Sequence, residues 1–184
     1  MMINELINKR VYEFSNRHEV IEIVVYGFIG FLIPMLLGHP QLLVGSIVNS
    51  VIILSALHHR GVKPVSLFIL PSLGAITRGI LFGPFTILLV YMAPFIWISN
   101  FLIWITMKKL YIDLKKNYLL SLIISSMIKA SFLFLTAFLL YSLGIIPKLF
   151  LIAMGPIQLA TAITGGLISL SVSKGIVYIY SRRD

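Results

Sequence analysis

Leu119–Ile146 reads LLSLIISSMIKASFLFLTAFLLYSLGII. These 28 residues contain one charge, Lys129, and no acid. About 20 mainly apolar residues cross the ~30 Å hydrocarbon core of a bilayer as a helix. The stretch therefore reads as a membrane span long enough to tilt, with a cation near its middle. Working outward by the same criterion gives five more spans: Val20–Leu37, Leu42–Leu57, Val65–Phe82, Pro84–Met107 and Leu149–Val172, the last able to continue to Tyr180. Pro64, Pro84 and Pro147 precede or open spans, where a missing N–H costs nothing. The expected fold class is all-α, a polytopic bundle of six transmembrane helices. One domain, 1–184, is expected, with a segment 1–19 ahead of a bundle over 20–180. No cleavable leader is expected ahead of the first span.

Composition agrees. The chain is 59% hydrophobic and 11% charged, with mean hydropathy +1.01. Soluble domains sit near about 45–50% apolar and about 25% charged. A pI of about 9.9 in a soluble protein would point to nucleic acid. Here the basic residues flank apolar segments, as anionic lipid and the positive-inside rule require, so no nucleic acid is expected. With the N-terminus inside, twelve of the fifteen Lys and Arg fall on the cytoplasmic side. They are Lys9, Arg10, Arg17, Arg60, Lys63, Lys108, Lys109, Lys115, Lys116, Lys174, Arg182 and Arg183. Lys148 alone lies outside, and Arg78 and Lys129 lie within spans. Both termini are therefore expected in the cytoplasm, in a cell membrane. Ile3, Leu6, Ile7, Val11 and Phe14 recur at helical spacing opposite Glu5, Lys9, Glu13 and Arg17. This reads as a short amphipathic helix on the cytoplasmic face, an interfacial anchor or a docking face. Lys108–Tyr118 reads as a second surface segment.

The six carboxylates, Glu5, Glu13, Glu19, Glu22, Asp113 and Asp184, are expected in terminal segments, loops or the first turn of a helix. Arg78 and Lys129 are then intramembrane cations with no acid to pair with. Such a charge costs at least about 2.5–3.5 kcal/mol unpaired and marks a functional site by default. Position along each span places Asn49, Arg78, Tyr91, Lys129 and Gln158 between mid-depth and the outer surface, with Thr161 following Gln158 and Trp97 near the middle. An outward-opening pocket lined by these residues, with Trp97 as its floor, is the expected binding site. Arg78 can instead reach the headgroups. Asn49 and Gln158 can instead bond neighbouring helices, and Trp97 can be core packing. Pro34, Pro71, Pro94 and Pro156 fall inside spans and invite kinks. Gly79 and Gly83, and Ala162 and Gly166, are small pairs that let helices approach.

Absent features narrow the function. With no cysteine there is no disulfide, iron–sulfur cluster or thiolate metal site. There is no GxxxxGK[ST] loop for ATP, and no intramembrane acid for proton or sodium coupling. His18, His39, His58 and His59 fall in loops or the N-terminal segment, and His58–His59–Arg60 reads as a solvated basic turn. No enzyme activity, cofactor or metal is expected.

Leu70–Thr86 (LPSLGAITRGILFGPFT), with its turn at Gly83–Pro84, and Met154–Leu167 (MGPIQLATAITGGL) carry a resemblance. In a six-span chain of this size they resemble the third and last spans of the S component, the substrate-binding membrane subunit, of energy-coupling-factor (ECF) transporters. Many members carry an alanine-x-x-x-alanine docking pattern in the first span. Here Gly27 and Gly30 stand at i, i+3 instead. The resemblance implies capture of a small molecule from outside, with Gly38–Gln41 (GHPQ) helping to cover the pocket. It also implies a coupling subunit and two ATPase subunits as partners. The two cations make the expected ligand anionic. The competing reading is an accessory or assembly subunit that docks other membrane proteins.

Overall fold

Long apolar segments can satisfy their backbone N–H and C=O groups only by bonding within themselves. The computed structural model describes residues 2–11, 15–61, 63–82 and 88–180, and no strand occurs among them. The helices are α1 (Met2–Asn8), α2 (Asn16–Leu36), α3 (Gln41–His58), α4 (Val65–Phe82), α5 (Leu89–Met107), α6 (Tyr118–Ser142), α7 (Leu149–Met154) and α8 (Pro156–Tyr180). A wide π-type turn, Lys108–Asp113, continues α5. Five helical stretches are long and apolar enough to cross a membrane: Asn16–Leu36, Gln41–His58, Leu89–Asp113, Tyr118–Ser142 and Leu149–Ile176. The apolar part described in α4, Val65–Gly79, is shorter. Glu13, Phe14, the Gly83–Pro84 turn, Arg182, Arg183 and Asp184 lie outside the described residues.

The chain runs back and forth between two ends. Val11 N–H donates to the Leu57 carbonyl at 2.8 Å and Gly61 N–H to Ile7 at 2.9 Å, which brings the N-terminal segment, the end of α3 and the start of α4 together. At the other end Arg78 of α4 reaches the last turn of α2. Lipid is as apolar as leucine, so close packing and hydrogen bonds hold such helices together. The α3–α8 seam shows both. A Cβ on Gly165 would lie 2.6 Å from the Ser46 carbonyl and 2.9 Å from Ser50 N, so only glycine lets the backbones meet there. A Cβ on Gly45 would lie 2.7 Å from the side-chain methyl of Thr161. Across the seam Ser46 bonds Thr164, and His58 Nε2 bonds Ser173 Oγ at 2.9 Å. Ile52, Ile53, Ile103, Met107 and Leu122 form the larger apolar core. Met92, Leu133, Ala137, Phe150 and Met154 form a second one nearer the opposite end.

Several expectations are corrected. Ser15 caps α2, accepting from His18 N at 3.4 Å, so that helix starts at Asn16 rather than Val20. The earlier start brings Glu19 into the first turn of the helix and leaves Glu22 beyond that turn. Glu19 is fully buried and binds Arg10 and Lys63, with Arg60 3.8 Å away. The Glu22 carboxylate accepts from His59 Nε2 at 2.9 Å and lies 3.5 Å from His58 Nδ1. His58 and His59 are therefore buried partners of an acid, not a solvated turn. Lys108 is buried too, donating to the carbonyls of Lys9 (2.5 Å) and His59 (2.7 Å) with its ammonium over the Trp104 ring. Helix α1 ends at Asn8, and Ile7 and Val11 pack on the larger core. The expected last span is two helices, because Gly155 breaks it at φ −105, ψ −97.

Candidate functional site

A cavity of about 720 Å³ opens among α2, α3, α4, α5, α6 and α7–α8. Its walls are mostly apolar, including Val44, Val48, Ile96, Phe150 and Ile157. Its polar groups sit at two levels. Asn49, Asn100, Lys129 and Gln158 form the inner one, and His39, Gln41 and Arg78 the one near the α2–α3 turn. A mostly apolar hollow with a few convergent polar groups is the usual form of a small-molecule site.

Lys129 leaves only 2% of its surface exposed. Its Nζ donates to Asn49 Oδ1 at 2.6 Å and to Asn100 Oδ1 at 2.7 Å. An ammonium only donates, so both amides must turn their oxygens to it. Their NH2 groups are engaged elsewhere: Asn49 Nδ2 donates to Thr161 Oγ1 at 3.1 Å, and Asn100 Nδ2 to the Phe68 carbonyl at 2.9 Å. Thr161 Oγ1 in turn donates to the Gln158 carbonyl at 3.0 Å. Four helices thus orient one cation. Both acceptors are neutral, and among the described residues Lys129 makes no ion pair. An ammonium has three N–H donors. The described residues take two, and Lys129 stands on the cavity wall. The arrangement can hold one anionic or strongly accepting ligand atom without supplying a competing acid.

Near the α2–α3 turn, Arg78 Nη1 donates to the Leu36 carbonyl at 2.8 Å and to Met35 at 3.3 Å. These are terminal carbonyls of α2, which have no partners within the helix and sit at its negative dipole end. Arg78 also lies against Gly38, whose φ of +64 favours glycine and whose missing side chain leaves room for the guanidinium. The residue both lines the cavity and closes the end of α2. Opposite it, Pro156 cannot donate to the Ile152 carbonyl. Gln41 Nε2 reaches the neighbouring Ala153 carbonyl at 3.3 Å. Irregular backbone inside a bundle of apolar helices occurs where a cavity or another side chain satisfies it.

Of the expected site residues, Asn49, Arg78, Lys129 and Gln158 line this one cavity, and Gly38, His39 and Gln41 of the GHPQ loop line it as well. Thr161 is fully buried beside the cavity, outside its lining, and accepts from the Asn49 amide. Tyr91 is 53% exposed and lies outside the cavity lining. Trp97 is not its floor. The indole N–H donates to Ser72 Oγ at 2.5 Å, and Ser72 lines the cavity instead. Asn100 is the residue the sequence reading left out of the site. Its signal was a lone amide three positions after Trp97, in a helix otherwise rich in Ile, Phe and Trp. Compared with protein-family models, with curated proteins and with solved structures, the chain finds no match in any of the three.

Proposed function

We propose that the protein is an integral membrane substrate-binding subunit of the ECF S-component kind, which captures a small anionic molecule from the outer side of the cell membrane. The observation that carries this reading is Lys129: a buried ammonium, oriented by two neutral amides, facing a cavity large enough for a metabolite. An ion held this way, with no acid beside it among the described residues, is expensive to keep in a bilayer unless a ligand completes its shell. The basic-residue pattern supports six crossings, with α4 as the third, and both termini in the cytoplasm. The cavity then opens through the Arg78 level to the outside. With no nucleotide loop of its own, the chain depends on a coupling subunit and two ATPase subunits for energy.

Native mass spectrometry of gently extracted protein tests the reading. The expected result is a retained small anion that is lost from Lys129→Met. An apo chain attached instead to other membrane proteins would overturn it and favour an accessory or assembly role.

A further inference from the structure

The opposite end of the bundle carries a second hollow. It measures about 970 Å³ and is built where the N-terminal segment, the α3–α4 turn and the residues after α5 converge. Five cations line it, Lys9, Arg10, Arg60, Lys63 and Lys115, with Asp113 as the acid among its lining residues. Glu19 lies beneath, bound to Arg10 and Lys63, and Asp113 binds Lys9. Five cations against these two carboxylates leave three positive charges. Counting Glu13, which lies outside the described residues, would still leave two.

This is a built basin rather than a fringe of mobile lysines. Its three segments are tied together by Val11 N–H to Leu57, Gly61 N–H to Ile7, and the buried Lys108 ammonium, which bonds the carbonyls of Lys9 and His59. Lys115 stands on a turn at φ +51, braced by Lys116 N–H to the Leu110 carbonyl at 2.9 Å. It is exposed and makes no ion pair among the described residues. Clustered cations in a hollow, two of them with the forked guanidinium that matches phosphate oxygens, favour an anion carrying more than one charge.

We propose that this basin binds a phosphate group of two or more negative charges, carried by a soluble phosphorylated compound or by an anionic lipid headgroup. The site is separate from the Lys129 cavity, and the inference does not rest on the reading of that cavity. The test uses the full chain in zwitterionic nanodiscs, titrated with inorganic pyrophosphate by calorimetry. In a second arm, native mass spectrometry counts phosphatidic acid retained from mixed micelles. The variant Lys9→Gln/Lys115→Gln removes two cations from the rim, and Lys115→Glu serves if the double variant misfolds. Saturable pyrophosphate binding, weakened about tenfold in the variant and further weakened at 1 M salt, supports a soluble phosphate compound. Phosphatidic acid, whose phosphomonoester can carry two charges, retained by the parent but not by the variant, with no pyrophosphate binding, supports the headgroup. Absence of both, or binding unchanged by the variants, overturns the proposal. Capture of an acidic peptide alone would also overturn it and would move the basin to protein docking.

Discussion

Lys129 is held by neutral oxygens, and that choice separates stability from binding. A carboxylate in place of either amide would neutralise the ammonium and leave nothing for a ligand. Asn100→Asp is therefore expected to keep the fold while weakening anion binding about tenfold or more, read by ligand titration beside a thermal melt. Lys129→Met removes a desolvated charge and fills its space with a side chain of similar length. It is expected to leave the melting temperature unchanged or raised, because apolar replacement of a buried ion is often neutral or stabilising. Glu19→Gln acts in the opposite sense, since it strands Arg10 and Lys63 around a neutral group. A loss of about 3 kcal/mol is expected, seen as a lower melting temperature in detergent, toward the low end because Lys63 is partly exposed. A charge inside an apolar run announces itself, so Lys129 was legible in the sequence. Position along a span is legible as well, but the face it occupies is not. Position along the span puts Tyr91 and Asn49 both in the outer half, yet one faces outward and the other meets Lys129. Asn100 was missed because an amide that orients a cation and one that bonds a neighbouring helix look the same in one dimension.

Helices α3 and α8 set the inner level of the cavity, because Asn49 and Thr161 meet across their seam. Gly165→Val would push a side chain into the Ser46 carbonyl and Asn49. A cost of about 1–3 kcal/mol is expected, with a parallel loss of ligand affinity as the Asn49 amide shifts. Gly175→Ala, on the same helix with nothing within 4 Å of the added methyl, is the control and should lower neither quantity. The helices themselves were legible as apolar runs, and most boundaries fall within a few residues of the expected ones. The misses have local causes. The first span begins early because Ser15 supplies a cap. The last divides because Gly155 and Pro156 act together, and a proline alone signals a kink without revealing whether the helix survives it. The burial of Glu19, His58 and His59, and the pairing of Glu22 with both histidines, depend on three distant segments meeting, which no local pattern encodes.

The bundle as a whole places Arg60 and Lys115 on one basin, with α4 and α5 between them. Two crossings return a chain to its starting side, whereas one does not. The chain has no cysteine, so single Cys variants report cleanly. Labelling Arg60→Cys and Lys115→Cys with a membrane-impermeant thiol reagent is expected to place both on the cytoplasmic side, with His39→Cys and Lys148→Cys outside. Arg60 and Lys115 on opposite sides would mean that α4 does not cross. Helices long and apolar enough to cross a membrane were legible from composition and run length, whereas the two hollows arise only once the helices assemble. The buried Glu19 carries a consequence for how the protein is made. Arg10 leaves the ribosome before Glu19, but Lys63 follows it by 44 residues. At about 5–20 residues per second the nascent α2 waits about 2–9 s for that counter-ion. During that interval α2 carries Glu19 without Arg60 or Lys63, so the full ion cluster can close only after the α3–α4 turn has been made.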